Sequence, residues 1–352
     1  MRSCPANFTT VCTWVLVIAW PATLAVSLTL GPQPISLHQL ACSVLPLGGC
    51  LQTTEYELAS YVVLQLRLPR ALLALGVGTA LALSGIVLQA LWRNPLADAG
   101  VLGVSTAAAL GAAFASASGG LAFPPWHWVP PDLRTACGAF AVAAAVLAAL
   151  YGLARWRTSP DLATLLLLGI AFNAVGSGIL GLYLYLATDA QLRSLTFWTL
   201  GSAAGARWIT VGLLWAGIAV FAPWLMRHSR ALDALLLGEH NAFYLGFDPE
   251  RFKRAALLSV AALLAPAVAA AGPVAFVGLI VPHGLRLLFG PEHFQLLPRC
   301  ALAGGAFVLA GDICARTLAS PAEIPLSLVT ASIGGPILFV LLTHTGAQEW
   351  LR

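Results

Sequence analysis

Charge is what this sequence has least of. Only 9% of its 352 residues are Asp, Glu, Lys or Arg, against 59% hydrophobic. A soluble domain carries about 25% charged residues, so this chain cannot coat a water-facing surface. A soluble enzyme and a disordered chain are both excluded. Mean hydropathy is +0.86, and what remains is an integral membrane protein built from helices. Of the 18 basic residues only Lys253 is a lysine. The arginines are scattered with no basic stripe, which argues against a nucleic-acid partner.

Several motifs are missing as well. A nucleotide-cradling loop needs Gly-x-x-x-x-Gly-Lys-Ser/Thr, and the lone lysine stands between Phe252 and Arg254. If ATP drives this chain, another chain hydrolyses it. No His-Glu-x-x-His and no Cys-x-x-Cys occurs, so neither a catalytic site nor a metal site is suggested. Cys42 and Cys50 either bridge, if their loop faces an oxidising compartment, or stand unpaired. Ionisable groups inside the apolar runs are scarce. An ion-coupled carrier needs such groups, and only Asp312 qualifies, with Arg316 one helical turn on as the expected i,i+4 partner.

What is present is a series of long apolar runs. A bilayer core takes about 20 apolar residues per helix. Candidate spans lie near 11–30, 71–92, 100–118, 135–154, 162–187, 208–226, 255–272, 273–289, 299–318 and 325–343. The first reads as an uncleaved anchor. The stretch 255–289 would be about 52 Å long as one helix, too long for a ~30 Å core. Gly272-Pro273 divides it, because proline cannot continue the hydrogen-bond ladder.

Ten spans with a cytoplasmic N-terminus place Arg2, Arg93, Arg155, Arg157, Arg227, Arg230, Arg251, Lys253, Arg254, Arg286, Arg299 and Arg352 inside. Only Arg67, Arg70, Arg134, Arg193, Arg207 and Arg316 fall outside. That bias is the one that orients membrane proteins, and it puts both termini in the cytoplasm. Two hydrophilic stretches interrupt the spans: an outer loop at 31–66 and a cytoplasmic segment at 227–254. The second has Leu232, Leu235 and Leu236 at helical spacing, with Gly238 separating two helical pieces. It either lies in the membrane interface or docks a soluble protein.

Ordered local motifs run through most of the chain. Arg67-Leu68-Pro69-Arg70 leads to Ala82-Leu83-Ser84-Gly85-Ile86-Val87-Leu88-Gln89, then Arg93-Asn94-Pro95-Leu96-Ala97-Asp98 and Leu102-Gly103-Val104-Ser105. Later come Leu237-Gly238-Glu239 with Ala242 and Leu245-Gly246, then Phe276-Val277-Gly278-Leu279-Ile280-Val281-Pro282-His283, and Glu323-Ile324-Pro325. Together these resemble the FecCD family of bacterial permeases over about residues 60 to 343. The family departs from this chain around Ala99, Gly311 and Phe294-Gln295.

The resemblance implies an all-α polytopic membrane protein with the type II ABC importer permease fold. It implies one permease domain over 1–352, ten transmembrane helices and a homodimer in the bacterial inner membrane. It implies two ATP-binding cassette ATPase subunits, which hold ATP and magnesium, and a periplasmic substrate-binding protein. The chain itself would be non-catalytic, with no bound cofactor. The cargo would be haem, on the likeness of Asp189-Ala190-Gln191-Leu192-Arg193-Ser194-Leu195-Thr196-Phe197-Trp198-Thr199-Leu200-Gly201-Ser202 to haem-transporting members. Ferric siderophore or cobalamin is the alternative cargo, and an ATP-independent secondary transporter is the remote alternative class.

Site expectations follow from the resemblance residue by residue. Arg67, Arg70 and Arg316 would hold acidic residues of the binding protein. Leu237, Gly238, Glu239, Ala242, Leu245 and Gly246 would form the ATPase-coupling segment, with the two glycines ending helices. Asn94 and Leu96 would form the cytoplasmic gate. Arg193 and Arg207 would line a substrate vestibule.

Overall fold

The computed structural model describes residues 6–31, 35–44, 54–95, 97–98, 100, 102–117, 131–155, 162–189, 192, 196 and 198–344. It is helical throughout, with no strand among the described residues. In chain order the helices are α1 (Ala6–Thr29), α2 (Leu37–Val44), α3 (Thr54–Tyr61), α4 (Leu68–Leu91), α5 (Val104–Ala117), α6 (Pro131–Arg155) and α7 (Leu162–Leu186). There follow α8 (Trp208–Arg227), α9 (Ser229–Leu236), α10 (Glu239–Tyr244), α11 (Pro249–Ala271), α12 (Val277–Phe289), α13 (His293–Thr317) and α14 (Leu326–His344). Six helices among the described residues are long and apolar enough to cross a membrane, and four shorter apolar ones lie within α5, α6, α12 and α14.

The stretch 31–66 is not the plain loop expected. Ser36 and Gln39 close a reciprocal capping box: the Ser36 amide donates to Gln39 Oε1 at 3.0 Å, and the Gln39 amide donates to Ser36 Oγ at 3.2 Å. That pair starts α2. Beyond it, α3 runs through a π-helical turn at Val62–Arg67 into α4, giving one apolar helix from Tyr56 to Leu91. Cys42 is disulfide-bonded, and Cys50 lies outside the described residues.

Gly272-Pro273 does break 255–289, as expected. Gly272 has φ 70°, a conformation open to glycine, and α11 ends one residue before it. The second half differs from expectation. Helix α12 begins only at Val277 and has 13 residues, about 20 Å at 1.5 Å per residue. That is short of a bilayer core. The non-helical backbone at 272–276 is held by protein groups: the Ser202 amide donates to Ala271 O at 2.8 Å, and Ser327 Oγ donates to Pro273 O. Irregular backbone inside a membrane protein needs such internal partners.

Helix α4 is the centre of the bundle. Its small residues let neighbouring backbones approach it. A Cβ at Gly78 would overlap the carbonyl of Gly304 on α13, and one at Gly85 would overlap the carbonyl of Gly278 on α12. The Trp215 indole of α8 donates to Leu72 O at 3.0 Å and meets Trp20 of α1 edge-on, with ring centroids 5.9 Å apart. Helix α1 is pinned to α13 where Trp20 Nε1 donates to Leu302 O at 2.6 Å.

Candidate functional site

Functional groups gather at the two ends of this bundle. At one end lie the starts of α4 and the ends of α1 and α13. Arg70 donates through Nε and Nη2 to Asp312, at 3.0 and 2.9 Å to Oδ1, and through Nη1 to Glu323 Oε1 at 2.8 Å. One guanidinium thus clamps two carboxylates, the planar fork matching both. Asp312 is 1% exposed and Glu323 is 41% exposed at the side chain. The expected Asp312–Arg316 ion pair is present but long, and Arg70 is the closer partner of Asp312. Arg316 Nε stays 3.8 Å from Asp312, and its Nη2 donates to Ser27 O and Oγ at 2.7 Å.

Arg67 behaves like Arg316. Its Nη1 donates to Leu28 O at 2.8 Å and Thr29 O at 3.0 Å. Both guanidiniums therefore occupy the last carbonyls of α1, groups that a helix cannot satisfy internally and that carry its negative dipole end. Arg67 is 6% and Arg316 4% exposed. The three arginines expected to meet a soluble partner do come together, but two of them are buried within the chain.

The opposite end holds the segment 227–254. Helix α9 buries Ala231, Leu232, Ala234 and Leu235 against the bundle. Gly238 follows at φ 105°, and α10 then ends at Gly246, φ 87°. The Gly246 amide donates to Phe243 O at 2.9 Å and the Phe247 amide to Ala242 O at 3.1 Å. This is a Schellman termination, which needs a left-handed residue where Gly246 stands. Asp248 caps α11 through the Arg251 amide at 3.1 Å.

Ala242 is fully buried, while Leu237, Phe243, Tyr244 and Leu245 are 59–84% exposed. Glu239 pairs with the chain's only lysine, Lys253. A cleft of about 580 Å³ opens beside Leu237, Leu245, Phe247 and Pro291. The six expected coupling residues thus sit on one helix–turn–helix.

Asn94 lies just beyond α4, its amide donating to Gln89 O at 3.1 Å. Leu96 is outside the described residues. The turn that follows α4 is held from two sides. Asn173 on α7 donates to Gly100 O at 2.9 Å and accepts from Thr106 Oγ1 at 2.5 Å. Gln89 Nε2 reaches Gly278 O at 3.2 Å on α12. Arg207 is exposed at the start of α8, and Arg193 lies outside the described residues.

Sequence reasoning passed over Glu323, Asn173, Gln89, Asp233 and His293 as site residues. Gln89 and Asn173 carried a usable signal, a polar side chain in the interior of an apolar run. Asp233 did not, because a carboxylate on an amphipathic segment reads as solvated.

The model of the FecCD transport family matches residues 17–344. The chain belongs to the FecCD transport family. This FecCD permease is 39% identical over 302 residues to the hemin transport system permease protein HmuU of Yersinia pestis, covering 84% of this chain and 87% of that one. It is 36% identical over 355 residues to the cobalamin import system permease protein BtuC of Halobacterium salinarum, covering 91% and 92%. Among solved structures it resembles a metal-chelate type ABC transporter in an inward-facing conformation. That match has a TM-score of 0.80 and 30% identity, covering 94% of this chain and 98% of the other.

Proposed function

We propose that this FecCD permease is the non-catalytic membrane half of an ATP-driven importer, acting as a homodimer with ten membrane helices per copy. Two ATPase chains dock on the 227–254 segment, both termini face the cytoplasm, and a periplasmic binding protein delivers the cargo at the other end. The observation that carries this reading is the helix–turn–helix at 229–246. It exposes Leu237, Phe243, Tyr244 and Leu245 away from the bundle on rigid, glycine-terminated helices. Apolar side chains so displayed mark a protein or membrane contact, and the family likeness favours the protein. The only lysine stands outside any Gly-x-x-x-x-Gly-Lys-Ser/Thr loop, and the energy source is another chain.

At the binding-protein end, the Arg70–Glu323 pair is the part open to a partner, with Arg67 and Arg316 supporting it from beneath. Asn94 and Leu96 close the cytoplasmic side of the pathway. The cargo is haem, with a ferric siderophore or cobalamin as alternatives, and Arg207 with Arg193 meets its acidic groups. Haem is cargo here rather than a resident cofactor.

The test is uptake into proteoliposomes containing the permease, a cognate ATPase and the loaded binding protein. ATP-dependent haem uptake, absent without the ATPase chain, is the expected result. Cobalamin uptake in place of haem would replace the cargo alone. Uptake by the permease by itself, driven by an ion gradient, would overturn the importer reading.

A further inference from the structure

The segment 227–254 is joined to the bundle by more than apolar contact. Asp233 on α9 places Oδ1 3.0 Å from the backbone nitrogen of His293 and 2.6 Å from its ring Nδ1. His293 is the first residue of α13 and is fully buried. Its backbone N–H is one of the donors that a helix start leaves without an internal acceptor. The preceding residue, Glu292, provides no side-chain cap. The cap is supplied instead from another helix, 60 positions away in sequence. A carboxylate there also faces the positive end of the α13 dipole.

Helix α13 is a 25-residue rod, about 37 Å long at 1.5 Å per residue, with Pro298 inside its second turn. Near its far end Asp312 is clamped by Arg70, and Arg316 holds the last turn of α1. Each end of the rod is therefore fixed by charge-assisted hydrogen bonds, which are directional and do not slide. The apolar contacts of Leu232 and Leu235 allow α9 to slip; the Asp233 bond does not.

We propose that Asp233, bonded to the backbone and ring of His293, is the positioning residue through which the 227–254 segment moves α13. This rests on the reading of that segment as the ATPase contact. On this inference, displacement of α9 at the cytoplasmic face is delivered along α13 to the Arg70–Asp312–Glu323 cluster.

The experiment compares Asp233→Ala, His293→Leu and His293→Asn in the complete transporter. Uptake per ATP hydrolysed is measured in proteoliposomes with whichever of haem and cyanocobalamin the wild type imports, normalised to assembled complex. Asn at 293 retains an N–H near the position of Nδ1; Leu does not. Asp233→Ala and His293→Leu should lower uptake per ATP by about tenfold, the loss expected for a charge-assisted bond. His293→Asn should stay within about twofold of wild type, since its donor remains. Wild-type coupling in Asp233→Ala and His293→Leu would overturn the proposal. So would a His293→Asn complex that loses coupling to the same extent as His293→Leu. A wild-type complex with no ATP-dependent uptake at all would overturn the importer reading, and this inference with it.

Discussion

Helices α4 and α7 are both long and apolar, yet they stand at opposite extremes of burial. In the most apolar 18-residue window of the segment Tyr56–Leu91, 94% of residues are buried, against 11% in that of Leu167–Leu186. Both are also rich in glycine. On α4, Gly78 and Gly85 lie against the backbones of α13 and α12. On α7, Gly178 and Gly181 meet nothing within 4 Å, and Leu182 and Tyr185 beside them are 60% and 84% exposed. Lipid tails are as apolar as leucine, so an exposed apolar face costs nothing in a bilayer. The comparison teaches that apolarity marks a helix as membrane-embedded, while backbone approach decides which helix is central.

The contrast can be broken most strongly at the start of α4. Arg70→Ala leaves Asp312 buried without its close partner, and breaking a buried pair from one side costs about 3–5 kcal/mol. Thermal melting of the detergent-solubilised protein should show that loss. Adding Asp312→Ala should recover more than half of it, and simple additivity of the two losses would refute the coupling.

Gly85→Val tests the backbone approach itself. With the Gly278 carbonyl in the way, the helices must part, and overpacking of that kind costs about 1–3 kcal/mol. The same melting assay should fall accordingly, and an unchanged midpoint would mean that α4 and α12 separate freely.

Asn173 is the place where α7 becomes like α4, because it bonds Thr106 on α5 and Gly100 in the turn after α4. Interhelical hydrogen bonds in membranes are worth about 0.6–2 kcal/mol. Asn173→Leu should therefore destabilise modestly, and it should increase cysteine accessibility at position 94 in an Asn94→Cys background. Protection identical to the wild-type background would show that Asn173 does not hold the turn after α4.

The smallest effect is expected at Gly178→Ala. Its Cβ enters open space, and such changes stay within about 0.5 kcal/mol. A melting shift as large as that of Gly85→Val would mean that α7 is packed as tightly as α4.

Local signals carried much of the architecture. Gly272-Pro273 announced the break between α11 and α12, and Gly246 announced the end of α10, because left-handed backbone is a local requirement. The capping pair Ser36 and Gln39 was equally legible, and overlooking it is why 31–66 read as a loop. The site was less legible. Arg67 and Arg316 were visible as arginines at span ends, but their burial against the α1 carbonyls was not. Asp312 was read with the arginine four residues on, whereas its close partner is Arg70.

The sequence by itself determined the solvent, the approximate helix positions and the helix breaks. Each follows from properties of neighbouring residues: hydropathy over about 20 positions, a missing amide, a permitted positive φ. The tertiary structure alone decided which charges meet. Asp312 and Arg70 are 242 residues apart and Asp233 and His293 are 60 apart. A pair potential that falls off within a few ångströms acts only after the helices have packed, so its partners are set by the fold.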